Sequence, residues 1–222
     1  GQLGLRPRKA RLRVGDYELG ELVGDGRSYQ DYEATHAALS ELKRRARIYR
    51  VPEQTSSERQ AACLRQADRE VRILQGIGQH PHILNVHEYY VTGDQGPTIL
   101  FDEFAGGVSL DRFLHRHPDL SHSDRLDILG QISRTIAQCH RKSHTHGGLA
   151  PESVLVRRSD DGKLDTRLIN FQLGASELVS PTVHRTEVLT APAAVYQAPE
   201  LSADASARGP HSDVFGLGRS EE

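Results

Sequence analysis

His146-Gly147-Gly148-Leu149-Ala150-Pro151-Glu152-Ser153-Val154-Leu155 reads as a glycine- and proline-punctuated loop running into an apolar strand. Gly148 carries no group that accepts a proton, and the neutral hydroxyl of Ser153 is a weak ligand for a hard cation. Glu152, directly after Pro151, reads as a structural carboxylate. Upstream, Ser121 through His144 places Leu126, Leu129, Ile132, Ile136 and Cys139 on one helical face behind a Ser121-x-x-Asp124 start signal. Downstream, Asp161-Gly162 predicts a hairpin between Val154–Val156 and Leu168–Phe171.

The N-terminal half has the opposite character. Tyr17–Val23 alternates like a strand, Gly24 and Gly26 break it, and a second short run follows. Arg45–Val51 predicts a third strand closed by Pro52, and Ser57–Gly76 is an amphipathic helix carrying Ala62, Leu64, Ala67, Val71, Ile73 and Leu74. Val86–Val91 and Thr98–Phe104 complete five strands around that helix, and Gly106-Gly107 marks a hinge. Thr182–Ala193 shows no period and reads as loop.

Composition narrows the function classes. At 222 residues the chain is long enough to bury about 70% of its unfolded surface. No apolar run reaches the roughly 20 residues of a membrane span, so a cytoplasmic protein is expected. The formal charge of −2 argues against nucleic acid as a partner, and the basic residues Arg6, Arg8, Lys9, Arg11 and Arg13 read as a solvated linker. Cys63 and Cys139 form no disulfide framework. Cys139, His140, His144 and His146 match no usual zinc spacing, so no metal is expected there. The chain contains no methionine, which points to a piece of a longer polypeptide.

The element order resembles that of a protein kinase, and six stretches fall where that order needs them. Leu22–Ala34 resembles the glycine-rich loop and its following strand, and Glu70-Val71-Arg72-Ile73-Leu74 with His80-Pro81-His82-Ile83 the regulatory helix and its exit turn. The loop around His146 stands at the catalytic loop and Ile169-Asn170-Phe171-Gln172 at the Asp-Phe-Gly position. Ala198-Pro199-Glu200 closes the activation segment, and Asp213–Gly218 opens the helix behind the catalytic loop. The resemblance implies an α+β, two-lobed fold: a basic arm over 1–16, an N-lobe over 17–104 with a five-stranded antiparallel sheet and one long helix, and an incomplete, mainly helical C-lobe over 105–222. It also implies that Leu74, Phe171 and His146 stack through both lobes, that Asp213 anchors the catalytic-loop backbone, and that Glu70 and Glu200 are structural.

Against that pattern, Tyr49 replaces the strand lysine and leaves Glu70 without its cation, Gly148 replaces the base, Ser153 and Asn170 replace the magnesium ligands, and Gln172 replaces the mobile glycine. Gly24 and Gly26 remain as a vestigial loop with Tyr29 at the third glycine. Asp31 and Arg47 stand where small apolar residues sandwich adenine, and are expected to pair across the roof and fill the pocket, with Asp102 as the gatekeeper behind them. Replacement of the lysine by Arg47 or Arg50 is the minor alternative, and of the two only Arg47 shares the face of Tyr49.

The expected function is therefore a pseudokinase: a regulatory scaffold in a larger multidomain protein, lacking ATP and magnesium, with a protein or another domain of the same polypeptide as partner. Arginine outnumbers lysine several-fold, and Gly26–Tyr32 with Arg45–Tyr49 is similar to large kinase-like proteins of bacterial phage-defence systems. The alternatives are a divergent Ser/Thr-type kinase with residual ATP binding or phosphotransfer, and a nucleotide sensor without turnover. Ser176, Ser180, Thr182, Thr186 and Thr190 make phosphorylation of the activation segment a minor alternative, since Gly147 replaces the arginine that would receive the phosphate.

Overall fold

In a computed structural model that describes residues 12–50, 56–91, 96–172 and 209–219, the chain forms two lobes of α+β character. The N-lobe carries a six-stranded antiparallel sheet in the order β1-β2-β3-β4-β6-β5. Its strands are β1 (Arg13–Val14), β2 (Tyr17–Asp25), β3 (Tyr29–His36), β4 (Lys43–Tyr49), β5 (Val86–Tyr90) and β6 (Thr98–Asp102). The expected count was five. The extra strand lies inside the basic arm, where Arg13 and Val14 pair with Glu18 and Tyr17.

Side-chain alternation sorts this sheet into two faces. Val14, Tyr17, Leu19, Ala34, Ala46, Ile48 and Leu100 form a small outer core. The inner face carries Tyr29, Tyr49, Ile99 and Phe101 and joins the main core with helix α1 (Ser57–Ile77). On α1, Ala67, Glu70, Val71 and Leu74 recur every three to four residues and are all buried. The helix ends at Gly78, whose positive φ of 78° lets its N–H reach back to the Leu74 carbonyl.

The C-lobe contributes β7 (Val108–Ser109), α2 (Leu110–Arg116), α3 (His122–Arg141), a single 3-10 turn at Pro151–Ser153, β8 (Val154–Arg158), β9 (Leu164–Leu168) and α4 (Pro210–Arg219). Ser121 caps α3 by accepting from the Asp124 N–H at 3.0 Å. Ile128 is buried on this helix, whereas Leu126, expected on the core face, is 54% exposed. The β8–β9 hairpin turns at Gly162, φ 83°.

The lobes are stitched by backbone. The Leu84 N–H donates to the Leu168 carbonyl at 3.0 Å, and the Leu168 N–H to the His82 carbonyl at 2.9 Å. Strand β9 therefore ends against the chain leaving α1, which sets residues 169–172 directly below the inner face of the N-lobe sheet. No described helix is long and apolar enough to cross a membrane.

Candidate functional site

Strand alternation puts Arg45, Arg47 and Tyr49 on the inner face of β4, and the register sets Asp31 of β3 directly opposite Arg47. Asp31, Arg47 and Glu70 are each at most 1% exposed. Arg47 grips Asp31 with two parallel bonds, Nε to Oδ1 and Nη2 to Oδ2, each 2.8 Å. Its Nη1 donates to Glu70 Oε1 at 2.9 Å, and Nη2 also donates to Asn170 Oδ1 at 2.6 Å. The guanidinium lies 3.9 Å over the Tyr29 ring. The cation missing at Tyr49 is thus delivered to Glu70 from two residues earlier on the same strand. The expectation that Glu70 loses its partner is corrected, because the long arginine side chain reaches α1 where the roof position holds alanine in a kinase. Tyr49 is not idle either, since its hydroxyl donates to Glu70 Oε2 in a short hydrogen bond.

The electrostatics follow the geometry. Burial alone would raise the Asp31 carboxyl, but Arg47 and Arg45 outweigh it and hold it at about 2. Burial raises Glu70 above its ordinary value despite Arg47 and Tyr49, and it also raises Tyr29 and Tyr49. Arg47 stays protonated because the pull of Asp31 and Glu70 exceeds the burial penalty.

Arg45, which the sequence reading passed over, is a second guanidinium on Asp31, with Nε to Oδ2 at 2.9 Å and Nη2 to Oδ2 at 2.7 Å. It lines a cleft with Val23, Glu103–Gly107 and Leu155 whose cavity volume is about 80 Å³. The pockets that hold small ligands run to roughly 300–1,000 Å³. The retained glycines fit this crowding. A Cβ on Gly24 would lie 2.8 Å from Arg45 Nη2, and one on Gly26 would lie 2.2 Å from the Tyr29 ring. Asp102, expected as gatekeeper, lies opposite Arg44 on β4, while Phe101 is the inner-face residue, 5.5 Å below the Arg47 guanidinium. The alternation of β6 decides that one-residue difference.

Below the sheet, Asp213 of α4 holds the loop at 146–153. Its Oδ2 accepts from the His146 N–H and its Oδ1 from the Gly147 N–H, both at 2.8 Å, and His140 Nε2 lies 2.7 Å from Oδ2. His146 packs against Phe171 with ring centroids 4.5 Å apart and planes tilted by 43°, and Leu74 belongs to the same buried core as Phe171. The His146 Nε2 donates to the Ile169 carbonyl at 2.8 Å while Nδ1 accepts from the Gly148 N–H at 3.3 Å, an arrangement that suits a neutral ring protonated at Nε2. Asn170 and Gln172 adopt left-handed backbone, φ 63° and 62°. Gln172 is tied down by its N–H to the His146 carbonyl at 2.6 Å and its side-chain amide to the Thr145 carbonyl at 2.9 Å. Glu200 and the serines and threonines at 176–190 lie outside the described residues.

Magnesium does not fit the donors at its two family positions. Ser153 Oγ donates to the Gly148 carbonyl at 2.8 Å, and Asn170 Oδ1 already receives Arg47, with Tyr29 Oη at 3.4 Å. Neither position offers a carboxylate. Two carboxylates do stand nearby with capacity to spare, since Asp111 Oδ1 and Glu152 Oε2 are buried and have no hydrogen-bond partner among the described residues. Burial pushes Glu152 up to about 7, the backbone bond lowering it and Asp111 adding to the rise.

Residues 17–220 match the protein kinase domain family. The chain is 28% identical to CBL-interacting protein kinase 22 of Oryza sativa over 94% of its length, and 28% identical to a calcium/calmodulin-dependent serine/threonine-protein kinase of the same plant over 91%. It is 26% identical to CDPK-related kinase 5 of Arabidopsis thaliana over 83%. It spans 48%, 32% and 30% of those relatives' own lengths. These plant kinases overturn the resemblance to bacterial phage-defence proteins, and with it the expectation of a bacterial, catalytically dead scaffold with a degenerate ATP pocket. The bacterial reading leaned on arginine richness and on the stretches Gly26–Tyr32 and Arg45–Tyr49, and the dead-enzyme reading on Tyr49, Gly148, Ser153, Asn170 and Gln172 together. Arginine content is compositional and carries no lineage, and Arg47 refills the vacancy at Tyr49.

Proposed function

The chain belongs to the protein kinase domain family, and from that premise we propose that it is the domain of a divergent serine/threonine-type protein kinase with residual nucleotide binding and phosphotransfer. The observation that carries this reading is the similarity to serine/threonine kinases along nearly the whole chain. The Arg47–Glu70 pair at 2.9 Å supports it, because a cation on the regulatory helix is what the family requires of that helix in its working position. Asp213 on the His146 and Gly147 N–H groups keeps the catalytic loop in shape.

The chemistry left to the chain's own residues is mainly positioning. The hinge at Glu103–Gly107 with Val23 and Leu155 would hold a purine, and the spare oxygens of Asp111 and Glu152 would seat a basic side chain of a protein substrate. The substrate is then a hydroxyl-bearing segment with a neighbouring arginine or lysine. A cytoplasmic setting is part of the proposal. A protein, including another domain of the same polypeptide, is the proposed partner.

The test is transfer from γ-labelled ATP to serine peptides with and without flanking arginines, using the full polypeptide that carries this domain, with Arg47→Ala as control. Incorporation that depends on Arg47 and favours the basic peptides supports the reading. Nucleotide binding without any incorporation would replace it with a sensor.

A further inference from the structure

The hinge cleft and the buried ionic chain meet at a single side chain, Arg45. It lines the cleft, its own side chain is only 13% exposed, and its Nη2 sits 2.7 Å from Asp31 Oδ2. Asp31 is in turn locked by the two-pronged grip of Arg47, which Glu70 and Asn170 hold from the far side. Above, Gly24 packs so closely that even a methyl group there would meet Arg45 and Asp31. The deep end of the cleft is therefore filled by the chain itself, leaving a cavity of about 80 Å³.

We propose that Arg45, held on Asp31, is an autoinhibitory gate: it closes the deep end of the hinge cleft, and a purine enters only when Arg45 releases Asp31 and turns outward, while Arg47 stays on Asp31 and Glu70. The inference rests on the nucleotide-binding reading above and adds its regulation. Arg45 is the movable member for a geometric reason. It contacts Asp31 alone among the buried acids, whereas Arg47 is bonded to Asp31, Glu70 and Asn170. Releasing Arg45 leaves Asp31 with both bonds from Arg47, so no buried charge is orphaned. Releasing Arg47 would leave Glu70 with no cation and only the Tyr49 hydroxyl.

Adenosine is the probe, because it needs the cleft but brings no phosphate that Arg45 could bind. Calorimetric titration compares the natural chain with Arg45→Ala, and Asp31→Asn serves as a second variant that weakens the hold on Arg45 without shortening it. The gate predicts adenosine binding at least tenfold tighter in Arg45→Ala and a smaller gain in Asp31→Asn, with melting temperatures that show both variants folded. Equal affinity within twofold across all three proteins overturns the gate and leaves nucleotide binding in place. No binding by any of the three, all folded, overturns both.

Discussion

Replacing Arg47 by alanine strands two carboxylates, Asp31 and Glu70, neither of them measurably exposed. Asp31 keeps Arg45 and Glu70 keeps the Tyr49 hydroxyl, so the loss is partial. Breaking a buried ion pair from one side costs about 3–5 kcal/mol, which for a chain of this size lowers Tm by roughly 6–20 °C. Part of that cost has a pH signature. The Asp31 carboxyl falls from an ordinary 3.8 to about 2 on folding, a shift that contributes on the order of 2 kcal/mol. A depressed acid gives stability above its unfolded pKa and loses it as pH falls through the folded one. The natural chain therefore loses this contribution between pH 4 and pH 2, and Arg47→Ala has little of it to lose. In the variant, Asp31 and Glu70 take up protons as pH falls, so its deficit is larger at pH 8 than at pH 5. Urea unfolding at both pH values measures this. A quadruple variant, Asp31→Val with Arg45→Met, Arg47→Met and Glu70→Gln, removes the charges together, the Arg45 guanidinium on Asp31 included, and keeps a partner for Tyr49, and it should unfold within about 1 kcal/mol of the natural chain. An Arg47→Ala deficit under about 1 kcal/mol at pH 7, or one that does not change with pH, would refute the reasoning.

Two further outcomes follow from the C-lobe. Glu152 is raised to about 7 and is largely buried, so its charging opposes folding: stability is highest below its unfolded pKa near 4.5 and falls as pH rises to 7. Glu152→Gln should flatten that fall, gaining about 1–3 kcal/mol at pH 8 and little at pH 4.5, read by thermal melts across the range. Asp213→Asn sets an amide NH2 against one of the N–H groups that both carboxylate oxygens now accept. A loss of about 1–3 kcal/mol is expected, with faster amide exchange at His146 and Gly147, which hydrogen-exchange mass spectrometry would localise.

Local chemistry was the part most visible beforehand. The Ser121 cap, the glycine turn of the β8–β9 hairpin and the apolar face of α1 each depend on neighbours within a few residues, and each stands in the structure. Strand alternation placed Arg47 beside Tyr49 but could not say that its guanidinium would reach Glu70, because that depends on where α1 docks. Alternation also put Arg45 on that face, a signal that was there to read. On α3, Leu126 and Ile128 both fit a helical repeat, and only the packing of the helix into the main core decides that Ile128 is covered. β1 escaped because two residues among arginines carry no periodic pattern. The plant relatives could not be inferred from the missing catalytic groups, since those groups report chemistry and not ancestry.

The partners of Arg47 lie 16, 23 and 123 positions away along the chain. A knot tied from such distant pieces cannot close until the sheet, α1 and the end of β9 have already come together, because each loop must be closed before its bond repays the entropy. It is therefore expected to form late in folding, on the native side of the barrier. Weakening it should therefore leave the refolding rate nearly unchanged and speed unfolding, so that the ionic chain acts on this domain chiefly as a brake on its opening.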